Sequence, residues 1–194
     1  ITGTDLTGNG ASVAGEDFSV AANLNVSGGF VTGTGAAITG NVSISGTFAP
    51  DGGAAITGNL SVEDGGVIIP GGGAGGITSV SGNAVLAAGG STAFTTRTGA
   101  VVDSIAVAGE LDLSNAFNVV LNISGAIDKS VDYDLFTYGT IVGDPAANFT
   151  LVPPPGSPYV DLLDLGTSNV YDDAAGAVKL HLTGTDTAIW KDAG

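Results

Sequence analysis

The chain has 194 residues, which is enough for one or two domains with a substantial core. A hydrophobic fraction of 43% and a charged fraction of 12% exclude a disordered protein, and the 33 glycines keep no three-residue period, which excludes collagen. Nineteen acidic and four basic residues give a net charge of −15, so we expect neither nucleic acid nor an anionic membrane surface as a partner.

Two further features of the composition bear on where the protein works. Cys and Met are both absent, which removes the usual targets of oxidation and suits a long-lived extracellular material. No apolar run approaches the length that spans a bilayer, so we expect no membrane insertion. The sequence begins at Ile1, and we expect a processed chain or a fragment of a longer polypeptide.

An 18-residue repeat organises the first half of the chain. The decapeptide that begins at Gly35 reappears from Gly53, and Val20 begins a partial copy 18 residues before Ile38. Each copy alternates polar and apolar residues and is followed by glycines and then by further apolar residues, among them Phe48. This pattern predicts a short strand, a glycine corner, a second short strand and a glycine-rich return, and it disfavours helix.

A unit of this length buries its apolar face only by stacking on the next unit. The sequence therefore predicts an all-β protein built as a parallel β-helix, or β-solenoid, and its texture favours a right-handed one. Neighbouring turns would lie about 4.8 Å apart. The predicted columns of like residues are Val20, Ile38 and Ile56; Leu24, Val42 and Leu60; Val26, Ile44 and Val62; and, as an amide ladder, Asn23, Asn41 and Asn59.

Outside these copies the repeat is looser. The segment 75–78 resembles 54–57 at an offset of 21 residues, with the extra length in the loop 70–73. The segment 107–113 repeats the pattern of 56–62 at an offset of 51 residues, and the segment 1–6 has the pattern of a degenerate first turn. Unequal turns are expected where insertions lie in one stack of loops.

The second half has a different composition. Of the 33 glycines, 24 precede residue 100, whereas all four Tyr and Trp190 lie in the last third. Longer strands are predicted over 118–123, 133–142, 149–152 and 177–182. We therefore divide the chain into a glycine-rich β-solenoid, residues 1–114, and a β-rich C-terminal capping or docking region, residues 115–194, which protects or uses the exposed end of the stack.

The repeat Gly58-Asn59-Leu60-Ser61-Val62, followed by Gly65-Gly66-Val67, resembles the autotransporter-associated β-strand repeats of large bacterial surface and secreted proteins. The segments 133–138 and 178–182 are similar to those that close such arrays, and 187–194 is similar to the Trp-containing opening of a further array. The resemblance covers residues 19–68 well and the remainder loosely. It implies an extracellular or cell-surface location in a bacterium and a structural or adhesive role, and it carries no functional residues to this chain.

Catalysis by a β-helix protein would need clustered carboxylates, often with a cation nearby. The candidate pairs are Asp132 with Asp134, Asp161 with Asp164, and Asp172 with Asp173. We interpret them as solvated turn residues, because the four basic residues are scattered singly along the chain. His181 lies in an alternating segment and is interpreted as an outward strand residue, so we predict no catalytic site and no enzyme activity.

No cofactor is expected, and calcium is the one metal that the acidic composition favours. Its weak candidate ligands are Asp161, Asp164, Asp172 and Asp173, but the nonapeptide and EF-hand calcium motifs are absent. Glycans are the alternative ligand, with exposed Tyr or Trp190 as the stacking surface.

Three functions remain open from the sequence. The first is a non-enzymatic structural protein that self-assembles head to tail into a fibre or surface layer, through pairing of strand edges. The second is an adhesin or glycan-binding module of a larger secreted protein. The third is a carbohydrate-active β-helix enzyme, which would need a groove that brings Asp pairs close to Arg97 or a Lys.

Overall fold

The computed structural model describes residues 2–8, 11–13, 18–73, 75–97, 100–101, 103–124, 128–152 and 168–183. The described residues are mostly strand, with one short helix, which confirms the all-β prediction. In chain order the elements are β1 (Thr2–Gly8), β2 (Ala11–Val13), β3 (Ser19–Val26), β4 (Gly29–Thr32), β5 (Ala36–Ile38), β6 (Val42–Ile44), β7 (Thr47–Pro50), β8 (Ala54–Ile56), β9 (Leu60–Val62), β10 (Val67–Ile68), β11 (Gly76–Val80), β12 (Ala84–Leu86), β13 (Ser91–Arg97), β14 (Ala100–Val101), β15 (Asp103–Asp112), β16 (Phe117–Ser124), β17 (Tyr133–Val142), α1 (Pro145–Asn148), β18 (Phe149–Val152), β19 (Asn169–Asp172) and β20 (Ala177–His181).

Within the described residues the strands form two sheets. Sheet A has twelve strands, in the order β11-β8-β5-β3-β6-β9-β12-β15-β17-β20-β19, with β1 beside β3 and with β11 also paired to β15. Sheet B has eight, in the order β18-β16-β13-β10-β7-β4-β2, with β14 beside β13. All pairs are parallel except three: β13 with β14, β17 with β20, and β19 with β20. Pairs of parallel strands that are distant in the sequence thus dominate both sheets.

One repeat contains three short strands, as β5, β6 and β7 show. β5 and β6 lie in sheet A, where both pair with β3, and β7 lies in sheet B, where it pairs with β4. The prediction of two strands per repeat was therefore wrong. The third strand is the Ala-Ala-Ile segment before the Thr39-Gly40 corner, in which Ala36 and Ile38 are buried.

Residues 18 positions apart lie in register, as the repeat predicts. Leu24 pairs with Val42 and Val42 with Leu60, while Ile38 pairs with both Val20 and Ile56. All six side chains are at most 1% exposed. Burial of each such side chain contributes about 1.5–3 kcal/mol, so the columns supply the core that a single repeat lacks.

The interior of sheet B begins as an aromatic column. Phe30 pairs with Phe48 in register, and their rings stack with centroids 6.1 Å apart. Phe18 meets Phe30 edge to face at 5.6 Å. Further along, the column continues through Ile68 and Thr92, both fully buried.

A column of glycines allows successive strands of sheet A to approach closely at one corner. A Cβ atom on Gly58 would lie 2.4 Å from the carbonyl oxygen of Gly40, and one on Gly40 would lie 2.4 Å from that of Ala22. Gly82 and Gly109 continue the column: a Cβ there would lie 2.7 Å from the carbonyl oxygen of the preceding glycine and 2.3 Å from Oδ1 of Asn59 or Asn83. The backbone atoms at these four positions cannot rotate away from a side chain.

The predicted asparagine column is confirmed, although its hydrogen bonds differ from an amide ladder. The Oδ1 of Asn23 accepts from the backbone N–H of Asn41, and that of Asn41 accepts from the N–H of Asn59, each at 2.9 Å. The same bond links Asn59 to Asn83, 24 residues on, and Asn83 to Glu110, 27 residues on. Each asparagine therefore satisfies a backbone donor in the next turn.

The looser repeats are placed only in part as the sequence predicts. Ile56 pairs with Val80 at an offset of 24, so the predicted offset of 21 was wrong, and Ile77 is 57% exposed. Val80 in turn pairs with Val107, which confirms the predicted offset of 51 from Ile56. In the first predicted turn Leu6 pairs with Leu24 at an offset of 18.

The C-terminal strands agree closely with the sequence prediction. β17 and β18 have the predicted bounds, β16 is one residue longer than predicted at each end, and β20 ends one residue earlier. The parallel pairs β13–β16 and β15–β17 cross the predicted boundary at residue 114, and the division into two domains stays a prediction. A second aromatic group, in which Phe136 contacts Phe94 at 5.5 Å and Phe149 at 5.7 Å, fills this end.

Candidate functional site

Ionisable and aromatic side chains converge on the outer face of β17, β20 and β19. In β20, Val178 and Leu180 are fully buried, so the alternation turns Lys179 and His181 outward. Pairing places Lys179 between Asp134 and Tyr171, and His181 beside Asn169. We call the following six residues the polar cluster: Asp132, Asp134, Tyr171, Asp173, Lys179 and His181.

Asp132 is the centre of the polar cluster. One carboxylate oxygen lies 2.7 Å from Nδ1 of His181, and the other accepts a hydrogen bond from the Tyr171 hydroxyl at 2.7 Å. These two hydrogen bonds, that of His181 first, hold the pKa of Asp132 below its usual range. The bond to Asp132 also raises the pKa of Tyr171. The side chains of Asp132 and His181 are 38% and 44% exposed, so a solute can reach the pair.

Lys179 forms the second half of the polar cluster. Its ammonium group lies 3.2 Å from Asp173 and 3.4 Å from Asp134. The hydrogen bond with Asp173 and then the charge of Asp134 raise the pKa of Lys179. The pKa of Asp173 is lowered, chiefly because its carboxylate accepts from the backbone N–H of Ala175 at 2.8 Å. Charges that were scattered in the sequence are therefore paired here.

Two other tyrosines flank this region. The Tyr138 hydroxyl donates to Asp172, and burial together with that carboxylate raises the pKa of Tyr138 to about 12. Tyr133 is 5% exposed and donates to the carbonyl of Asp128 at 2.5 Å. Tyr133 is thus buried, whereas Tyr138 is half-buried, as Tyr171 is.

The structure places only some of the candidate residues from the sequence. Asp161, Asp164 and Trp190 lie outside the described residues. Asp172 and Asp173 accept hydrogen bonds from the backbone of the turn 174–177, as solvated turn residues do. The outward orientation of His181 is confirmed.

The pairing of His181 with Asp132 was missed. The two residues are 49 positions apart on different strands, and no local pattern relates them. The buried Asp103, 1% exposed, was missed as well; it accepts from the backbone N–H of Thr95 at 2.8 Å. An acidic residue inside an apolar alternation was the available signal for it.

The chemistry open to the polar cluster is limited. A carboxylate that orients a histidine is one half of a general-base arrangement, yet in the described part of the chain no hydroxyl nucleophile is hydrogen-bonded to the His181 ring. Nor do the described residues contain a group of three His, Cys, Asp or Glu side chains that could hold a metal ion. What the cluster offers is a set of hydrogen-bonding groups around one aromatic ring, on an accessible face.

A shallow open groove lies beside this region. It has a volume of about 370 Å³ and is lined by residues 79–81, 106–108 and 137–139, which are consecutive levels of sheet A. Ser79, Ser81, Thr137 and Tyr138 line it together with small apolar residues. The groove lies next to the glycine column, since its lining residues Ser81 and Ala108 directly precede Gly82 and Gly109.

The two ends of the sheets form the other candidate surface. Among the described strands, β1 and β2 are the outermost at the N-terminal end, and β19 and β18 at the C-terminal end. β20 is antiparallel to β17 and β19 is antiparallel to β20, so β19 runs in the same direction as β17 and the strands before it. Both ends of sheet A therefore present edges with the same strand direction.

Comparisons with known proteins do not add to this description. No family model matches the chain, and no match was found among the curated proteins or the solved structures. In the part of the chain that the structure describes, no helix has the length and apolar character needed to cross a membrane. The geometry of the described residues is thus the basis for the functional proposal.

Proposed function

We propose that the chain folds as a right-handed parallel β-helix and works as a non-enzymatic structural protein that assembles end to end into a fibre or surface layer. The observation that carries the proposal is the unbroken parallel pairing from β1 to β17, in which Leu6, Leu24, Val42, Leu60, Ala84, Leu111 and Ile141 form one column. Every strand inside such a stack is hydrogen-bonded on both sides, so only the outermost strands have unpaired backbone groups. The stack stops growing only where these outermost strands are covered.

End-to-end docking follows from the direction of the terminal strands. If the outer edge of β19 pairs with β1 of the next copy, the new pair is parallel, like the pairs inside each copy. The high net charge of −15 would keep copies apart sideways without opposing a junction made by backbone groups.

This arrangement fixes the dimensions of the fibre. Along the path β1-β3-β6-β9-β12-β15-β17-β20-β19, sheet A has nine strand levels, which at about 4.8 Å each give an axial repeat of roughly 43 Å. Sheet B has seven levels, β2 to β18, corresponding to roughly 34 Å. The measured repeat therefore distinguishes a junction through β19 from one through β18.

Negative-stain electron microscopy and fibre diffraction test the proposal. We expect filaments whose abundance rises with protein concentration, a reflection near 4.8 Å along the fibre axis and an axial repeat of roughly 43 Å. Thr150→Pro removes a backbone donor from β18, which is not the proposed junction strand, so filaments should persist in this variant and in its control Thr150→Ala at the same exposed position. Loss of filaments in Thr150→Pro alone would move the junction from β19 to β18. Dispersed monomers of folded wild-type protein over a wide concentration range would overturn the proposal.

A second function is favoured by the polar cluster. Tyr171, with the carboxylate and imidazole of Asp132 and His181 beside it, offers the aromatic surface and the directional hydrogen bonds that bind a glycan. This supports an adhesin or glycan-binding module. A glycan array with wild type, Tyr171→Ala and Asp132→Asn tests this function. Loss of glycan binding in both variants would support it, and unchanged binding would place the glycan site outside the polar cluster.

The location and relationships of the protein belong to the same proposal. An extracellular or cell-surface role in a bacterium fits the absence of Cys and Met, the acidic charge and the resemblance to autotransporter-associated repeats. Calcium and catalysis form no part of the proposed mechanism. Isothermal titration of the protein with CaCl₂ and activity assays on polysaccharides check these two exclusions.

A further inference from the structure

The polar cluster carries an excess of negative charge. Three of its six residues are aspartates, and Lys179 supplies one ammonium group, so the carboxylates remain in excess even when the His181 imidazole is protonated. Asp172 adds a further carboxylate beside the cluster, and the whole chain has a net charge of −15. This face therefore attracts a cationic ligand and repels an anionic one, most strongly at low ionic strength.

Lys179 does not offer its charge to an acidic ligand. Its ammonium group lies 3.2 Å from Asp173 and 3.4 Å from Asp134, and its side chain is 27% exposed. An anion would have to displace both carboxylates. The side chain of Asp134, in contrast, is 54% exposed, and a carboxylate has about four lone-pair sites, so it can accept a further charge-assisted hydrogen bond from a ligand. The charged group that fits here is an ammonium group.

The groove lies on the same outer face of sheet A as the polar cluster. Asp134 and Thr137 are both exposed residues of β17, and three residues of extended strand separate them by roughly 10 Å. Tyr138, which lines the groove, donates its hydroxyl hydrogen to Asp172 of β19. The residues that line the groove are all uncharged. A ligand bound at the cluster thus has an open, uncharged groove of about 370 Å³ beside it.

We propose that the polar cluster binds an oligosaccharide of amino sugars whose amino groups are free and therefore positively charged. The proposal rests on the glycan-binding function proposed above and specifies the class of glycan. The Tyr171 side chain reaches across β20 to Asp132, two residues before Asp134, so a sugar ring stacked on it places its ammonium group against these carboxylates. The following sugars lie along the groove. Neutral and acidic sugars lack the positive charge and bind more weakly.

Isothermal titration calorimetry with two matched ligands tests the charge requirement. Oligomers of glucosamine and of N-acetylglucosamine with the same linkage and length differ only in their acetyl groups. At mildly acidic pH, where amino groups and carboxylates are both ionised, the glucosamine oligomer should bind at least about tenfold more tightly, and added salt should reduce the difference.

The outcomes separate this proposal from the glycan-binding function. Equal binding of the two oligomers would overturn the proposal and leave that function intact. Binding of neither oligomer, together with another glycan on the array that Tyr171→Ala abolishes, would also overturn the proposal alone. Absence of any glycan ligand would overturn both.

Charge variants test whether the polar cluster itself is responsible. Asp134→Asn keeps the size of the side chain and removes its charge, so it should weaken binding of the glucosamine oligomer about threefold and leave binding of the N-acetylated oligomer unchanged. Asp64→Asn, in the exposed turn after β9, changes the net charge equally and should leave both affinities unchanged. Equal losses in the two variants, or equal affinity for the linear polyamine spermine, would show attraction by charge alone and would overturn the proposal.

A filled groove tests the path of the sugar chain. Ala106 lines the groove, and Ala37 belongs to the same outward column three strand levels earlier, through Ala55 and Ser79. In wild type and in Ala37→Trp, longer glucosamine oligomers should bind more tightly than the disaccharide. In Ala106→Trp they should bind no more tightly than the disaccharide, and circular dichroism checks that both variants fold. Longer oligomers that keep their advantage in Ala106→Trp would overturn the placement of the chain in the groove.

Discussion

The strict repeat, residues 18–68, and the C-terminal strands of residues 128–152 and 168–183 are stabilised in different ways. In the repeat the strands after the eight-residue β3 have two to four residues, the interior consists of columns of identical or similar side chains, and each asparagine of the column is hydrogen-bonded to the next turn. The C-terminal strands include a ten-residue strand, an antiparallel hairpin and paired charges. The repeat is thus stabilised by apolar packing in its interior. The C-terminal end of the stack is stabilised in addition by ion pairs and by hydrogen bonds of tyrosine hydroxyls.

The difference is expected from the neighbours of each region. A turn in the middle of the stack has a turn on either side, so every column continues and each backbone donor has an acceptor. The last strands have a neighbour on one side. The hairpin β19–β20 adds strands to sheet A that need no further repeat, and the charges of the polar cluster keep its outer face hydrated.

The largest effect is expected from breaking the aromatic column of the repeat. Phe48→Ala removes a fully buried ring that stacks on Phe30, and we expect a loss of about 3–5 kcal/mol in the free energy of unfolding. Urea denaturation followed by circular dichroism measures it. Val85→Ala, at a 38% exposed position on sheet A, should cost less than about 0.5 kcal/mol. Similar losses in the two variants would show that the column is not a packed core.

The glycine column should be nearly as sensitive. A Cβ on Gly58 would meet the Gly40 carbonyl at 2.4 Å, so Gly58→Ala forces strands apart, and we expect a loss of about 2–3 kcal/mol. Gly29→Ala is the matched control, because a Cβ there meets nothing within 4 Å. The two variants are compared by thermal and urea unfolding. If Gly58→Ala is as stable as Gly29→Ala, the close approach of successive strands is wrong.

A smaller effect is expected from the asparagine column. Asn59→Ala removes the acceptor of the Asn83 backbone N–H, at an exposed position where water partly replaces it, and should cost about 1 kcal/mol. Asn59→Asp puts a carboxylate oxygen in place of the amide oxygen and so keeps an acceptor for the Asn83 N–H. It should recover most of the lost stability. Urea midpoints of the three proteins measure both changes. An Asn59→Asp variant as unstable as Asn59→Ala would contradict the hydrogen-bonding role.

The sequence predicts the repeat better than the C-terminal polar cluster, for physical reasons. Leu24, Val42 and Leu60 lie in register because an 18-residue period forces like residues onto one column, and the period is visible in the letters. The sequence pattern aligns Ile56 with Ile77 because the residues around them are similar. The buried residue in register with Ile56 is instead Val80, at an offset of 24. The Asp132–His181 contact depends on how two long strands register, and nothing local encodes that.

The smallest effect concerns pH and is confined to the C-terminal strands. The pKa values of Asp128, Asp132 and Asp173 are lowered by their hydrogen bonds in the folded protein. Each contributes stability that is present above the unfolded value of 3.8 and is lost as the pH falls through the lower folded value.

Acid titration of the unfolding midpoint between pH 6 and about 2.5 should therefore show a decline that begins near pH 4. Asp132→Asn should flatten part of that decline. Its effect should be smaller than that of Asn59→Ala, because the carboxylate is well exposed and water screens its interactions. A steeper acid loss in Asp132→Asn than in wild type would mean that the carboxylate destabilises the folded C-terminal strands. The polar cluster would then be a surface maintained for binding at the expense of the end of the stack.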